Sequence, residues 1–148
     1  MRRVVCDTGP ILHLLEAGAL NVLRLTGTVL IPPVVELELA NRVPDWRTTR
    51  PAWIEAKTLE HSLAAEAIAW EASGVLHAGE AQSLALAKQI GADWFLTDDA
   101  AARILALSIW LEAHGSLGVV LWAAATGHLA RPEAELCLDG LAKSSLWV

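Results

Sequence analysis

At 148 residues with 54% hydrophobic side chains, the chain is one domain's length and can bury a sizeable core, so a single globular domain over residues 1–148 is expected. Its net charge of −6 argues against a protein that coats nucleic acid by long-range attraction alone. Cys6 and Cys137 fit neither a disulfide nor a zinc spacing, which points to a reduced, cytoplasmic compartment. Met1-Arg2-Arg3 precedes the first strand without an apolar leader, and no later run reaches transmembrane length without charge, so no membrane partner is expected.

Strand and helix patterns alternate along the chain, which predicts an α/β fold with a central, mostly parallel sheet flanked by helices. Arg3-Val4-Val5-Cys6 reads as the first strand. Thr8-Gly9-Pro10 then opens a helix whose stripe of Ile11, Leu14 and Leu15 runs to Gly18. A short helix over 20–25 leads to the strand Thr28-Val29-Leu30-Ile31, and Pro32-Pro33 starts a helix carrying Glu36 and Glu38. Residues 41–51 turn polar and read as a surface loop. A short strand over 53–59, a helix over 60–72, a break over 74–79 and an alanine-rich helix over 80–90 follow. Next come the strand Trp94-Phe95-Leu96-Thr97, a helix over 99–107, a strand over 109–114, and helices over 117–125 and 132–143. The seven tryptophans leave two readings open, one common core or an apolar patch for a partner or second subunit.

Acids sit beside these apolar runs where a core has no use for them. Asp7 and Asp98 each end a strand-like run, and in a doubly wound sheet ligands bind outside the carboxyl ends of the strands. Glu38 shares a helix face with Val34 and Val35, whereas Glu36 points elsewhere and reads as a solvated charge. Glu80 shares a stripe with Leu84 and Ala87. Structural roles remain open for each. An Asp before a helix caps it, a Glu in the first turn favours the helix dipole, and for Asp99 capping and metal ligation weigh equally. Gathered carboxylates repel unless they take up protons or a hard cation such as Mg²⁺ or Mn²⁺ sits between them. Such a cation activates water and stabilises charge on phosphate oxygens, so the chemistry implied is phosphodiester hydrolysis. Thr8 and Thr97 neighbour the strand-end acids and could orient them. A basic rim for the substrate would come from Arg2, Arg3, Arg42, Arg47, Arg50 and Arg103. The five histidines show no ligand or triad spacing and read as surface or structural residues.

Val4-Val5-Cys6-Asp7-Thr8-Gly9-Pro10, Ile31-Pro32-Pro33-Val34-Val35 with Glu38, Gly79-Glu80-Ala81, and Leu96-Thr97-Asp98-Asp99 with Arg103 together resemble the PIN-domain family over almost the whole chain. With the late Gly115-Ser116-Leu117-Gly118 turn, the likeness is nearest to the branch related to VapC-type toxins. The resemblance implies a Rossmann-like fold and a Mg²⁺- or Mn²⁺-dependent endoribonuclease in which Asp7, Glu38, Glu80 and Asp98 hold metal, with Asp99 as the alternative to Asp98. It also implies an RNA substrate, a homodimer and a small antitoxin protein that covers the active groove. A rival reading is a PIN-fold binding or regulatory module without useful catalysis. Asp7-Thr8-Gly9 alone suggests an aspartic protease, but Pro10 and a helical stripe follow at once. Another metal-dependent phosphohydrolase on the same sheet is a third alternative.

Overall fold

The computed structural model describes residues 1–147, which contain five strands in one sheet and nine α-helices. The strands are β1 (Arg3–Cys6), β2 (Thr28–Ile31), β3 (Ile54–Ala56), β4 (Trp94–Leu96) and β5 (Ala113–His114). Their order in the sheet is β3-β2-β1-β4-β5, and every pairing is parallel. The mostly parallel α/β sheet expected from the alternating pattern is therefore an all-parallel one.

Val4, Val5 and Cys6 are fully buried because β1 is the central strand and both of its faces are covered. Successive side chains alternate between the faces. Val4, Cys6, Val29, Ile31, Trp94 and Leu96 enter one core, and Val5, Leu30 and Phe95 enter the other. The first core is closed by α1 (Thr8–Glu16), α2 (Val22–Thr26), α3 (Pro33–Arg42), α4 (Trp46–Thr49), α8 (Ser116–Ala125) and α9 (Arg131–Ala142). The second is closed by α5 (His61–Ala72), α6 (Ala78–Ile90) and α7 (Ala100–Ser108). In α6, Ala81, Ala85 and Ala87 are fully buried beside Leu84 and Leu86, so small side chains let this helix lie close on the sheet. Gly91 ends it at φ +60°, a left-handed position natural to glycine.

Several expected elements are corrected. The polar stretch 41–51 is not all loop, since α3 runs to Arg42 and Trp46–Thr49 is helical. The physical reason is Trp46, which is 2% exposed and pulls the segment onto the core. The third strand covers Ile54–Ala56 rather than 53–59, because the ladder closes with the Lys57 N–H donating to the Ile31 carbonyl at 2.9 Å and residues 58–60 carry no strand pairing. The fifth covers only Ala113–His114, since Ile109 and Trp110 belong to the turn that leaves α7. The alanine-rich helix begins at Ala78, with His77 as its cap, rather than at Glu80. The tryptophans do not all fill one core. Trp46 and Trp94 are buried, whereas Trp110 and Trp147 are exposed. Cys6 and Cys137 are free thiols. Among the described residues no helix is long and apolar enough to cross a membrane.

Candidate active site

The chain runs outward from β1 through β2 to β3, then returns through α5 and α6 to place β4 on the other side of β1. The strand order reverses between β1 and β4, and a crevice opens there at their carboxyl ends. Asp7 follows β1, and Thr97-Asp98-Asp99 follow β4. The backbone N–H of Asp7 donates to the Leu96 carbonyl at 2.9 Å, which locks the two strand ends together. Asp7, Glu38, Glu80, Asp98 and Asp99 all line one cleft of about 340 Å³. Acids from both sides of the sheet's midline, separated by up to most of the chain, thus share one opening.

Asp7 is 6% exposed. Its Oδ1 accepts from the Thr8 N–H at 2.8 Å and its Oδ2 from the Thr97 hydroxyl at 3.1 Å. Burial pushes its pKa from 3.8 to about 7, the Thr8 and Thr97 hydrogen bonds oppose the rise, and the charges of Glu80 and Glu38 add to it. Through the Thr8 N–H bond Asp7 caps α1, and Glu38 accepts a hydrogen bond from the Thr8 hydroxyl, so Thr8 donates to both acids. Gly79 packs against Glu38. A side chain there would begin 2.7 Å from Oε1 and 2.8 Å from Oε2, too close for real atoms. Glu80 accepts from the His77 N–H at 2.8 Å as part of the α6 cap. Burial raises its pKa, and the nearby charge of Asp99 adds to the rise.

The two acids after β4 differ in their partners. Asp99 caps α7, with Oδ2 accepting from the Ala102 N–H at 2.8 Å. Its own N–H donates to the Thr97 hydroxyl at 3.2 Å. Asp98 receives the Ser116 N–H on Oδ1 at 2.6 Å and the Ser116 hydroxyl on Oδ2 at 2.7 Å. Nδ1 of His13 lies 2.6 Å from Oδ2. Burial would raise the Asp98 pKa, but the hydrogen bonds from His13 and Ser116 outweigh it and hold the carboxyl below its ordinary value. An ionised carboxylate only accepts, so Nδ1 of His13 carries the proton.

Glu36 is not a solvated charge. It accepts from Trp46 Nε1 at 3.0 Å and pairs with Arg50 at 3.3 Å, tying α3 to α4 and away from the cleft. The expected basic rim is also largely absent from this edge. Arg42 lines the cleft and Arg103 an adjoining cavity, whereas Arg50 serves Glu36 and Arg2 lies at the opposite edge of the sheet, before β1. The histidines divide. His13 and His77 line the cleft, contrary to the expectation that all five are surface or structural residues. No ligand spacing marked them. The signal for His13 was its place four residues after Gly9, one helical turn along the face that meets the acids. Ser116 lay in the Gly-Ser-Leu-Gly turn but carried no chemical signal of its own.

Hard oxygen donors in this number suit a divalent cation of the Mg²⁺ or Mn²⁺ class, and the raised pKa of Asp7 marks charge that a cation would neutralise in place of a proton. The acids converge on one cleft rather than on one point. Among the described residues no group of three or more His, Cys, Asp or Glu side chains is gathered closely enough to hold one ion, because each acid is turned toward a protein donor.

A family model described as PIN domain matches residues 3–148. PIN domains in general are nuclease-type hydrolases that act on nucleic acid and use divalent metals. No curated protein matches the chain. By sequence over nearly its full length, and with a fold of five parallel strands carrying acids at the switch point, the chain belongs to the PIN-domain family.

Proposed function

We propose that the chain is a Mg²⁺- or Mn²⁺-dependent endoribonuclease that hydrolyses RNA phosphodiester bonds at the cleft between β1 and β4. The observation that carries the reading is the gathering of Asp7, Glu38, Glu80, Asp98 and Asp99 on one cleft at the switch point, where burial, helped by the charges of Glu80 and Glu38, pushes the Asp7 pKa up to about 7. A purely structural acid would be expected to have its charge satisfied by the fold. By turning carboxylates that bond to Thr8, Thr97, His77 and Ser116 toward a common point, Asp7, Glu38, Glu80 and Asp98 would hold the cation, with Asp99 beside them. When bound, it supplies an activated water and stabilises negative charge on the phosphate.

The chain's own groups prepare that chemistry. Thr8 and Thr97 aim Asp7 and Glu38 into the cleft through hydrogen bonds to their carboxylates. Ser116 and His13 keep Asp98 ionised, so it presents charge across the working pH range. Glu80 and Asp99 repel one another, which favours a positive ion between them over two protons as pH rises. Arg42 is the cation on the cleft wall that can meet a substrate phosphate. Assignment as the toxin of a type II toxin–antitoxin pair, with a homodimer and a small antitoxin, rests on the sequence resemblance.

A second reading, a PIN-fold binding module with weak catalysis, is favoured by one observation: among the described residues each acid already has a protein partner and no three of them are placed to hold one ion. The test is cleavage of a mixed RNA pool by the purified protein with Mn²⁺, with EDTA, and with Asp7→Asn in parallel. Metal-dependent cutting that disappears in the variant is expected. RNA binding without cutting in Mn²⁺ overturns the nuclease in favour of the binding module.

A further inference from the structure

Next to the acid cleft lies a second cavity of about 390 Å³, lined by Arg103, Gly115, Leu117, Gly118 and the 3₁₀ turn Ser145–Trp147 through Leu146 and Trp147. Asp98 and Leu146 border both spaces, so the two adjoin. Asp98 and Arg103 can close in on position 115 because it has no side chain. A Cβ there would begin 2.8 Å from Asp98 Oδ1 and 3.2 Å from Arg103 Nη1.

The groups around this cavity have unspent recognition chemistry. Arg103 donates from Nη1 to the Thr97 carbonyl at 3.0 Å, which fixes its guanidinium beside the acids, and it makes no ion pair among the described residues. Trp147 is 65% exposed. Its turn is nevertheless anchored, since Glu16 accepts from the Ser145 N–H at 3.1 Å and from the Ser145 hydroxyl at 2.5 Å. Leu146 packs on the core and forms the wall between the two spaces. An exposed indole on an anchored turn, an apolar floor and an oriented guanidinium beside a phosphate-handling cleft suit a flat, π-faced group that carries a phosphate.

We propose that this cavity is a nucleobase subsite for a single-stranded RNA substrate, with an unpaired base stacked on Trp147 and the phosphate next to it held by Arg103. The inference rests on the nuclease reading for the position of the scissile phosphate and deepens it by naming the residues that would take the neighbouring base and phosphate. A base paired in a duplex cannot present its face to Trp147, so the cavity selects unpaired strands. Stacking on an aromatic side chain tolerates any base, which gives affinity without a sequence code. In a chain of net charge −6, a lone guanidinium at this point also gives RNA a local foothold beside the repelling acids.

The test is a binding titration of a short fluorescent single-stranded RNA, with Ca²⁺ present, against the wild type, Trp147→Ala, Trp147→Phe and Arg103→Ala. A strand of the same length carrying abasic sites runs in parallel. The expected result is about tenfold weaker binding for Trp147→Ala, recovery in Trp147→Phe, and no difference among the three on the abasic strand. Arg103→Ala should weaken both strands and lower the salt dependence of binding by about one phosphate contact. The subsite is overturned if Trp147→Ala binds like the wild type, if its loss is equal on the abasic strand, if the wild type binds no RNA, or if an acidic peptide displaces the RNA stoichiometrically. Base-dependent binding without cleavage in Mn²⁺ supports the subsite and removes the nuclease reading, so the two fail separately.

Discussion

The two edges of the same sheet treat charge in opposite ways. At the amino edge, before β1, the Arg2 guanidinium lies over the Trp94 ring at 4.0 Å and the Trp122 ring at 5.4 Å. Its Nη1 donates to the Thr26 carbonyl at 2.9 Å, and the Arg3 N–H donates to Asp93 at 2.7 Å. Trp122 in turn stacks on His128 with centroids 5.0 Å apart. The Arg2 guanidinium and the Arg3 N–H there both meet complementary partners. At the carboxyl edge five acids line one cleft, and Asp7 keeps a proton to about pH 7 because burial and the charges of Glu80 and Glu38 oppose its ionisation. One edge is built for stability, and the other retains repulsion that only a proton or a cation relieves.

The largest expected effect breaks this contrast at its centre. Asp7→Asn keeps the shape and removes the charge, so cleavage should fall by roughly a hundredfold or more, since even outer partners of metal ligands commonly contribute ten- to a hundredfold. The same variant should be more stable than wild type at high pH. Folded Asp7 holds its proton to about 7, whereas unfolded it ionises near 3.8. Between those values the folded chain binds more protons, so wild-type stability is greatest below 3.8 and falls as pH rises through 7. At about 1.4 kcal/mol per pKa unit, the variant's advantage above pH 8 is on the order of 4 kcal/mol. Denaturation curves at pH 4 and pH 8.5 check this, and equal stability differences at both would contradict it.

A second consequence concerns activity in the wild type. Cation and proton compete for Asp7, so cleavage at limiting Mn²⁺ should rise about tenfold per pH unit below 7 and level off above it. A flat profile from pH 5.5 to 8 would mean that Asp7 does not bind the ion. A smaller effect comes from Gly79→Ala, whose new methyl displaces Glu38 from a carboxylate contact of 2.7 Å. Cleavage should drop about tenfold, with circular dichroism unchanged, because the first turn of α6 accepts alanine. The smallest effect belongs to the other edge. Arg2→Ala removes a cation–π contact at 4.0 Å and should lower stability by about 1 kcal/mol while leaving cleavage unchanged. A loss of cleavage in that variant would erase the distinction between the edges.

Much of this arrangement was legible in the sequence for local reasons. Val4-Val5-Cys6 and Trp94-Phe95-Leu96 are continuous apolar runs, as strands covered on both faces must be, and each is followed directly by polar residues. Asp7, Glu38, Glu80, Asp98 and Asp99 were recognisable as acids beside apolar stripes, and all of them reach the cleft. Shorter elements lacked such a signature. Ala113–His114 is too brief for a periodic pattern, and α4 lies in a polar stretch whose fate depends on where Trp46 finds a core.

The sequence by itself determined the class of sheet, the central strands and the set of acids, because alternation, apolar runs and acids at strand ends are properties of near neighbours in the chain. Only the tertiary structure decided which partners those acids acquire. Asp98 is tied to His13 and Ser116, Glu38 to Thr8, and Glu36 to Trp46 and Arg50. It also decided that Arg103 and Trp147, far apart in sequence, face one cavity beside the cleft. Those pairings follow from the reversal of strand order between β1 and β4 and from helices folding back over the sheet edge, and no spacing along the chain encodes them.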